Sequence, residues 1–232
     1  MSAERRTPRS RGRRTTRDAR RRSLGQNFLR PERARRLIAN ADLRPDQLVV
    51  EIGAGRGALT LALARLPIDV VAVELDPDWC ARLRASLRHI GARRVRVVPA
   101  DFLRFQLPAR PFRVVGALPF GRTTAICRRL FDDPSLPLER ADLIVQWEVA
   151  RKRASEPPHT RLSTSWAPWW RFEVTERIEA REFRPVPRVD AGVLVATRRQ
   201  PPLLPEAMAP AYARFVETRW PFAGARGVGS GR

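Results

Sequence analysis

The segment VVEIGAGRGALT, at residues 49–60, constrains the fold of this chain more than any other. A β-branched run leads into three alternating glycines, Gly53, Gly55 and Gly57, and a helical pattern follows them. Since glycine has no Cβ, the backbone N–H groups of such a strand–turn–helix unit can approach a bound ligand closely. The segment therefore predicts a parallel α/β sheet with a ligand site at this turn.

Glu74 ends a second apolar run, VVAVE, about twenty residues beyond the first glycine. A carboxylate at this distance can accept hydrogen bonds from both hydroxyls of a ribose, so we predict a nucleoside-bearing cofactor. The third glycine comes one place too early for a dinucleotide fingerprint, which argues against an NAD-dependent dehydrogenase. The alternative is a tight strand-to-helix turn followed by a surface glutamate.

Length and composition set further bounds. A chain of 232 residues with 43% hydrophobic content is long enough for one α/β domain with an appendage. No apolar run is long enough to span a membrane, and the N-terminus lacks the apolar region of a secretory signal. Cys80 and Cys127 follow no metal or disulfide pattern, so we expect both to be reduced and buried in a cytoplasmic protein.

The net charge of +21, from 45 basic and 24 acidic side chains, favours a polyanionic partner such as RNA or DNA. An anionic membrane surface is the main alternative, but no basic helix with a bulky apolar face is evident. Residues 1–22 are arginine-rich with almost no apolar side chains, which predicts disorder. This tail is either an electrostatic arm that orders on RNA or a solubilising extension.

Hydrophobic patterning predicts strands that alternate with helices, which is typical of βαβ units in a parallel sheet. After Trp147 the pattern changes, and two further strands predict a closing hairpin. The predicted strands are 48–52, 70–74, 95–98, 113–116, 141–146, 173–178 and 191–197, and the predicted helices are 31–41, 57–65, 77–89, 123–131 and 206–220.

Open α/β sheets bind ligands at the carboxyl ends of their strands, where this chain places several polar residues. Asp101 follows VRVVPA and is positioned to accept a hydrogen bond from the exocyclic amine of an adenine. For Asp76, which precedes Pro77, we favour a role as a helix cap. We assign no role to the two histidines, and we expect packing roles for Trp166, Trp169 and Trp170.

The motifs SLGQNFL, EIGAGRGALT, VELD, ADFL, ALPFG and FRPVPRVDAG occur in this order over residues 23–198. In order and spacing the chain resembles the Erm-type rRNA adenine-N6 methyltransferases, which methylate an adenine of large-subunit rRNA and confer macrolide resistance. The small-subunit rRNA dimethyladenosine transferases are close relatives. The resemblance implies S-adenosylmethionine as cofactor, large-subunit rRNA as partner, and a cytoplasmic monomer.

The same resemblance implies a Rossmann-like, seven-stranded class I methyltransferase sheet with a short helical C-terminal appendage. We expect a methyltransferase domain at 23–199 and a reduced helical segment at 200–232. It also assigns donor contacts: Glu74 would hold the ribose and Asp101 the adenine. The other donor contacts that it implies are Asn27, Leu29, Gly53, Gly55 and Ala117.

The target base has its own set of residues in this resemblance. The lone pair of adenine N6 is delocalised into the ring, and two acceptors aimed at the amino hydrogens can localise it. Related enzymes supply an Asn side chain and the next carbonyl, but here Ala117 replaces that Asn and only the Leu118 carbonyl remains, followed by Pro119. Phe120 would stack on the extruded base, and Phe183 would lie near it.

Ala117 leaves three interpretations open: a naturally weak enzyme, an inactive RNA-binding or ribosome-assembly relative, or an alanine introduced on purpose. A small-subunit rRNA adenine dimethyltransferase and a DNA adenine methyltransferase remain alternatives in substrate. With a short C-terminal segment, RNA recognition would depend on the tail and on basic patches. The candidate patches are Arg128–Arg129, Arg151–Lys152–Arg153 and Arg181 with Arg184.

Overall fold

The computed structural model describes residues 27–223, and side chains up to residue 220. The predicted arginine-rich tail at 1–22 lies outside the described residues. Within residues 27–223, no helix is both long and apolar enough to cross a lipid bilayer.

Strands and helices alternate along most of the described chain. The strands are β1 (Phe28–Leu29), β2 (Leu48–Ile52), β3 (Asp69–Glu74), β4 (Val95–Pro99), β5 (Phe112–Ala117), β6 (Leu138–Gln146), β7 (Trp170–Ile178), β8 (Phe183–Arg184) and β9 (Ala191–Arg198). The helices are α1 (Pro31–Ala39), α2 (Ala58–Leu63), α3 (Pro77–His89), α4 (Thr123–Phe131), α5 (Trp147–Arg153), α6 (Arg161–Trp166) and α7 (Ala209–Ala223).

The main sheet has the strand order β4-β3-β2-β5-β6-β9-β7. The first five strands are parallel, whereas β9 runs antiparallel to both β6 and β7. The predicted parallel sheet closed by a hairpin is thus confirmed. In this register Ile52 pairs with both Val73 and Gly116, so the residues that follow these three strands lie together at one edge of the sheet.

Helices cover both faces of the sheet. Val50 belongs to a core cluster with α4, whereas its neighbour Val49 belongs to a cluster with α1 and α2. Successive residues of a strand point to opposite faces, so these clusters lie on opposite sides. All five residues of β2 are buried, as expected of a central parallel strand.

Gly116 allows β5 to lie close against β2. A Cβ at this position would be 2.8 Å from the carbonyl oxygen of Ile52. Because that oxygen belongs to the backbone of a paired strand, it cannot move away as a flexible side chain would. The close approach matters because Gly116 immediately precedes Ala117, the first residue of the ALPF segment. Backbone packing therefore sets where this segment leaves the sheet.

Several local predictions are confirmed. Asp76 caps α3, because its Oδ1 accepts a hydrogen bond from the Asp78 N–H at 2.9 Å. Cys80 and Cys127 are buried free thiols. Trp166, Trp169 and Trp170 are 1–3% exposed, and the rings of Trp166 and Trp170 pack edge-on against one phenylalanine, Phe131.

Other elements differ from the prediction. The sequence did not predict α5, α6 or the two-stranded sheet of β1 and β8, because such short segments carry little periodic signal. Helix α1 ends at Ala39 rather than at residue 41, and α2 covers 58–63 rather than 57–65. A 3-10 turn at Glu206–Met208 precedes α7, which starts later and runs further than the predicted 206–220.

Candidate functional site

A cleft opens at the carboxyl edge of β2, β3 and β5, where the segments that follow these strands meet. It is lined by every residue that the sequence assigned to donor or target base. These residues are Asn27, Leu29, Gly53, Gly55, Glu74, Asp101, Ala117, Leu118, Pro119, Phe120 and Phe183. Segments far apart in the sequence thus meet at one concave surface.

The glycine turn forms one wall of the cleft. Gly53 and Gly55 have φ angles of +71° and +53°, in the left-handed region that glycine adopts without strain. Gly53 is exposed to the cleft. A Cβ on Gly55 would be 3.0 Å from the Phe28 ring, so this glycine also makes room for the N-terminal strand β1.

Glu74 ties this turn to the end of β3. Its carboxylate accepts hydrogen bonds from the Gly55 N–H at 2.7 Å and from the Asp76 N–H at 2.8 Å. Burial raises the pKa of Glu74, and these two hydrogen bonds oppose the shift. At 5% exposure Glu74 is not the surface glutamate of the alternative interpretation. Each carboxylate oxygen keeps a second lone pair that can accept a ligand hydroxyl.

Asp101 connects two parts of the cleft. One oxygen accepts a hydrogen bond from the Leu103 N–H at 3.0 Å, and the other pairs with Arg122 at 3.1 Å. Burial disfavours the charged form, but these contacts outweigh it and lower the pKa of Asp101. Arg122 ends the 3-10 turn that begins at Phe120, so the ion pair links Asp101 to the ALPF segment.

The ALPF segment leaves β5 in a defined conformation. The Leu118 N–H donates to the Ile144 carbonyl at 2.9 Å, and the Pro119 carbonyl accepts from the Arg122 N–H at 2.9 Å. Phe120 is partly exposed, whereas Phe183 is 2% exposed and pairs through β8 with Leu29. The segment therefore presents one open aromatic ring, and Phe183 borders the cleft from the core.

Glu51 is a cleft residue to which the sequence assigned no role. It is 1% exposed, lines the cleft, and its Oε2 has no hydrogen-bond partner among residues 27–220. Burial is the main cause that raises the pKa of Glu51 to about 7, and the nearby Glu74 carboxylate adds to the shift. The sequence signal that could have indicated a role for Glu51 is its position in VVEIG, immediately before the glycine turn.

Replacement of Glu51 by Gln is expected to remove a pH dependence of stability. In the unfolded chain Glu51 loses its proton near pH 4.5, whereas the folded chain keeps it until about pH 7. The folded state binds the extra proton in this window, so the free energy of unfolding falls as pH rises from 4.5 to 7 and levels off above. The expected fall is on the order of 3 kcal/mol.

Urea unfolding of the wild type and Glu51→Gln at pH 5, 6, 7 and 8 measures this effect. The difference between the two proteins isolates Glu51 together with its coupling to Glu74, because the remaining titrating groups contribute equally to both. A difference that stays constant across the four pH values would contradict the assignment.

The strand order, the antiparallel closing hairpin and the glycine-lined cleft define the class I S-adenosylmethionine-dependent methyltransferase fold. The crystal structure of 23S rRNA methyltransferase ErmE is similar, with a TM-score of 0.75 and 38% identity, over 87% of this chain and 81% of that one. The family described as ribosomal RNA adenine dimethylase matches residues 17–220, and the chain belongs to this family.

Relatives named for rRNA methylation or resistance match the chain along most of its length. An rRNA adenine N-6-methyltransferase of Saccharopolyspora erythraea is 40% identical over 88% of this chain and 53% of its own length. An enzyme of the same name from Corynebacterium diphtheriae is 38% identical over 88% of this chain and 79% of its own length. Mycinamicin-resistance protein MyrB of Micromonospora griseorubida is 40% identical over 84% of this chain and 61% of its own length. The chain thus spans about half the length of the first relative.

Proposed function

We propose that this chain transfers a methyl group from S-adenosylmethionine to N6 of an adenine in large-subunit (23S) rRNA and so confers macrolide-type resistance. The observation that carries the proposal is that Glu74, Asp101 and the ALPF segment line one cleft in a chain of this family. The names of its relatives and of the similar crystal structure support the same activity. The proposal includes action as a monomer in the cytoplasm.

The donor side of the cleft fits a nucleoside with a charged tail. Glu74 offers buried carboxylate oxygens for the ribose hydroxyls, and Asp101 offers an acceptor for the adenine amine. Gly53 leaves its wall of the cleft free of a side chain, and Glu51 Oε2, which has no partner among residues 27–220, can accept from an ammonium group once the carboxyl has lost its proton. Asn27 and Leu29 also line the cleft and would contact the methionine end of the donor.

The base side of the cleft positions the nucleophile. When bound, the donor supplies a methyl group already activated by its sulfonium. The Leu118 carbonyl is an acceptor for one amino hydrogen of the adenine, and Phe120 offers an aromatic face to its ring. The bound donor would supply this methyl group to N6 and keep the electron pair of the broken C–S bond, and N6 would release one proton to solvent.

One observation favours a second candidate function. Ala117 ends at its Cβ, so it provides no side-chain acceptor for the second amino hydrogen. A chain that binds donor and rRNA without turnover is therefore the alternative, in the form of a ribosome-assembly relative. Activity of the purified chain separates the two.

The test uses the purified chain, a tritiated donor and three protein-free substrates: 23S rRNA, 16S rRNA and DNA. We expect slow label incorporation into 23S rRNA, and mass spectrometry should locate it at N6 of adenine. If only 16S rRNA or only DNA were labelled, that nucleic acid rather than 23S rRNA would be the substrate. Binding of donor and 23S rRNA by calorimetry, with no incorporation at high enzyme concentration, would establish the non-catalytic alternative.

A further inference from the structure

The basic patches suggested by sequence are largely engaged within the fold. Arg128 pairs with Asp132 at 3.8 Å, and Arg129 donates to the Phe105 carbonyl. The next patch is also occupied, because Arg151 pairs with Glu148 at 3.6 Å and Arg153 donates to Thr160 at 2.8 Å. Arg181 likewise pairs with Glu179 at 2.6 Å. Each of these five side chains thus already has a partner within the fold, although the three ion pairs are largely exposed and compensate the local charge only weakly.

A second concave surface, which we name the arginine groove, is surrounded by a set of arginines that shares only Arg184 with those patches. It lies between α1, α2 and the β1–β8 sheet, and Leu61 and Ala62 of α2 are among its apolar lining residues. Five arginines and a single glutamate, Glu32, supply the charged side chains of its lining. The arginines are Arg30, Arg35, Arg56, Arg65 and Arg184.

Little negative charge compensates this groove. Arg35 pairs with Glu32 at 3.2 Å, but both side chains are largely exposed and such pairs are weak. Arg30, Arg65 and Arg184 form no ion pair with any residue between 27 and 220. Since arginine remains charged at any physiological pH, the groove carries a concentrated positive field.

The groove is continuous with the cleft. Phe28, Leu29, Arg56 and Ala58 line both surfaces, so the groove and the cleft adjoin each other. The guanidinium of Arg56 lies 4.6 Å from the centre of the Phe28 ring and 5.4 Å from that of Trp79. Arg82 also lies over the Trp79 ring, 5.2 Å from its centre. A polyanion in the groove would therefore lie beside the donor and base pockets.

We propose that the arginine groove binds backbone phosphates of the RNA strand next to the target nucleotide. This rests on the proposed function, because it places a strand whose base enters the cleft. Guanidinium groups bind phosphate oxygens in a bidentate geometry. A concave surface suits a single strand better than the flat face of a bilayer. The groove thus controls RNA affinity rather than donor affinity.

The test compares two double variants that remove equal charge. Arg65→Ala with Arg184→Ala empties part of the groove. The control is Arg88→Ala with Arg93→Ala, two exposed arginines near the C-terminal end of α3 that do not line the groove. Filter binding of a 23S rRNA fragment is measured between 50 and 300 mM salt, with donor affinity by calorimetry and folding by thermal melting.

We expect the groove variant to bind RNA about twentyfold more weakly at 0.1 M salt and to show a salt slope shallower by about 1.4, at about 0.7 per lost phosphate contact. The control should change the slope little, and both variants should bind the donor like the wild type. The Arg65→Lys, Arg184→Lys pair should recover part of the affinity, since lysine keeps the charge but not the bidentate geometry.

Equal losses in the groove and control variants would overturn the proposal, because they would reflect net charge alone. It would also be overturned if the groove variant lost binding to phosphatidylserine vesicles while RNA binding stayed intact. If the wild type methylates no RNA but the groove variant still binds RNA more weakly than the wild type, the proposed activity is refuted and the groove assignment stands. If the groove variant methylates RNA normally, with an unchanged RNA Kd and KM, the groove assignment is refuted and the proposed activity stands.

Discussion

Ala117→Asn is expected to raise kcat/KM for rRNA methylation by about a hundredfold to a thousandfold. Ala117 ends β5 at the cleft and directly precedes Leu118, whose carbonyl is the other acceptor for the adenine amine. A well-placed hydrogen bond formed in the transition state contributes roughly 2.7–4 kcal/mol in comparable sites. That free energy corresponds to the stated rate factor.

The gain should appear mainly in kcat, because the new acceptor strengthens as N6 becomes a better nucleophile. Single-turnover methylation of 23S rRNA at saturating donor measures it. Ala117→Leu is the matched control, since leucine has nearly the shape of asparagine but no acceptor. Equal activity of the Asn and Leu variants would contradict the assigned role. A wild type without activity and an active Asn variant would identify the present chain as a binding protein that retains a competent cleft.

Glu74→Gln is expected to weaken donor binding by about tenfold to a hundredfold, the loss of a charge-assisted hydrogen bond worth roughly 1.5–3 kcal/mol. The same change places an amide NH2 where a carboxylate oxygen now accepts from a backbone N–H. If this amide faces Gly55, one buried N–H loses its partner at 2.7 Å. We therefore also expect the free energy of unfolding to fall by about 1–3 kcal/mol.

Asp76→Ala is the control for Glu74→Gln. Asp76 lies two residues further in the same loop, caps α3 through Asp78, and does not line the cleft. Its loss should cost about 1 kcal/mol of stability and leave the donor Kd unchanged. Calorimetric titration with S-adenosylhomocysteine gives the Kd values, and urea unfolding gives the stabilities. If Asp76→Ala weakened donor binding as much as Glu74→Gln did, the effect would arise from the loop rather than from the carboxylate.

The composition of the cleft followed from local sequence. Parallel strands end at the same edge of a sheet, so residues at or just beyond the ends of β2, β3, β4 and β5 meet there irrespective of how the rest packs. This is why Gly53, Glu74, Asp101 and Ala117 were all placed in the cleft by spacing and resemblance. Their individual roles toward donor and base remain predictions.

Elements with a weak local signal were missed. Helices α5 and α6 and strands β1 and β8 are too short for a period to be evident. The β1–β8 pair depends on residues 28 and 184, which only the completed fold brings together. The domain division at residue 199 also remains a prediction. In the structure Tyr212 of α7 packs against Trp169, at 5.9 Å between ring centres, and Arg161 pairs with Glu217 at 3.0 Å.

By itself the sequence determined the strand–turn–helix order, the family, and the residues at the carboxyl edge, since each depends on neighbours along the chain. The tertiary structure alone decided which arginines have a partner within the fold, how Arg122 reaches Asp101, and why burial raises the pKa of Glu51 to about 7. The physical reason is that charge compensation and desolvation depend on atoms within a few ångströms. In a folded chain many of those atoms belong to residues that are distant in sequence.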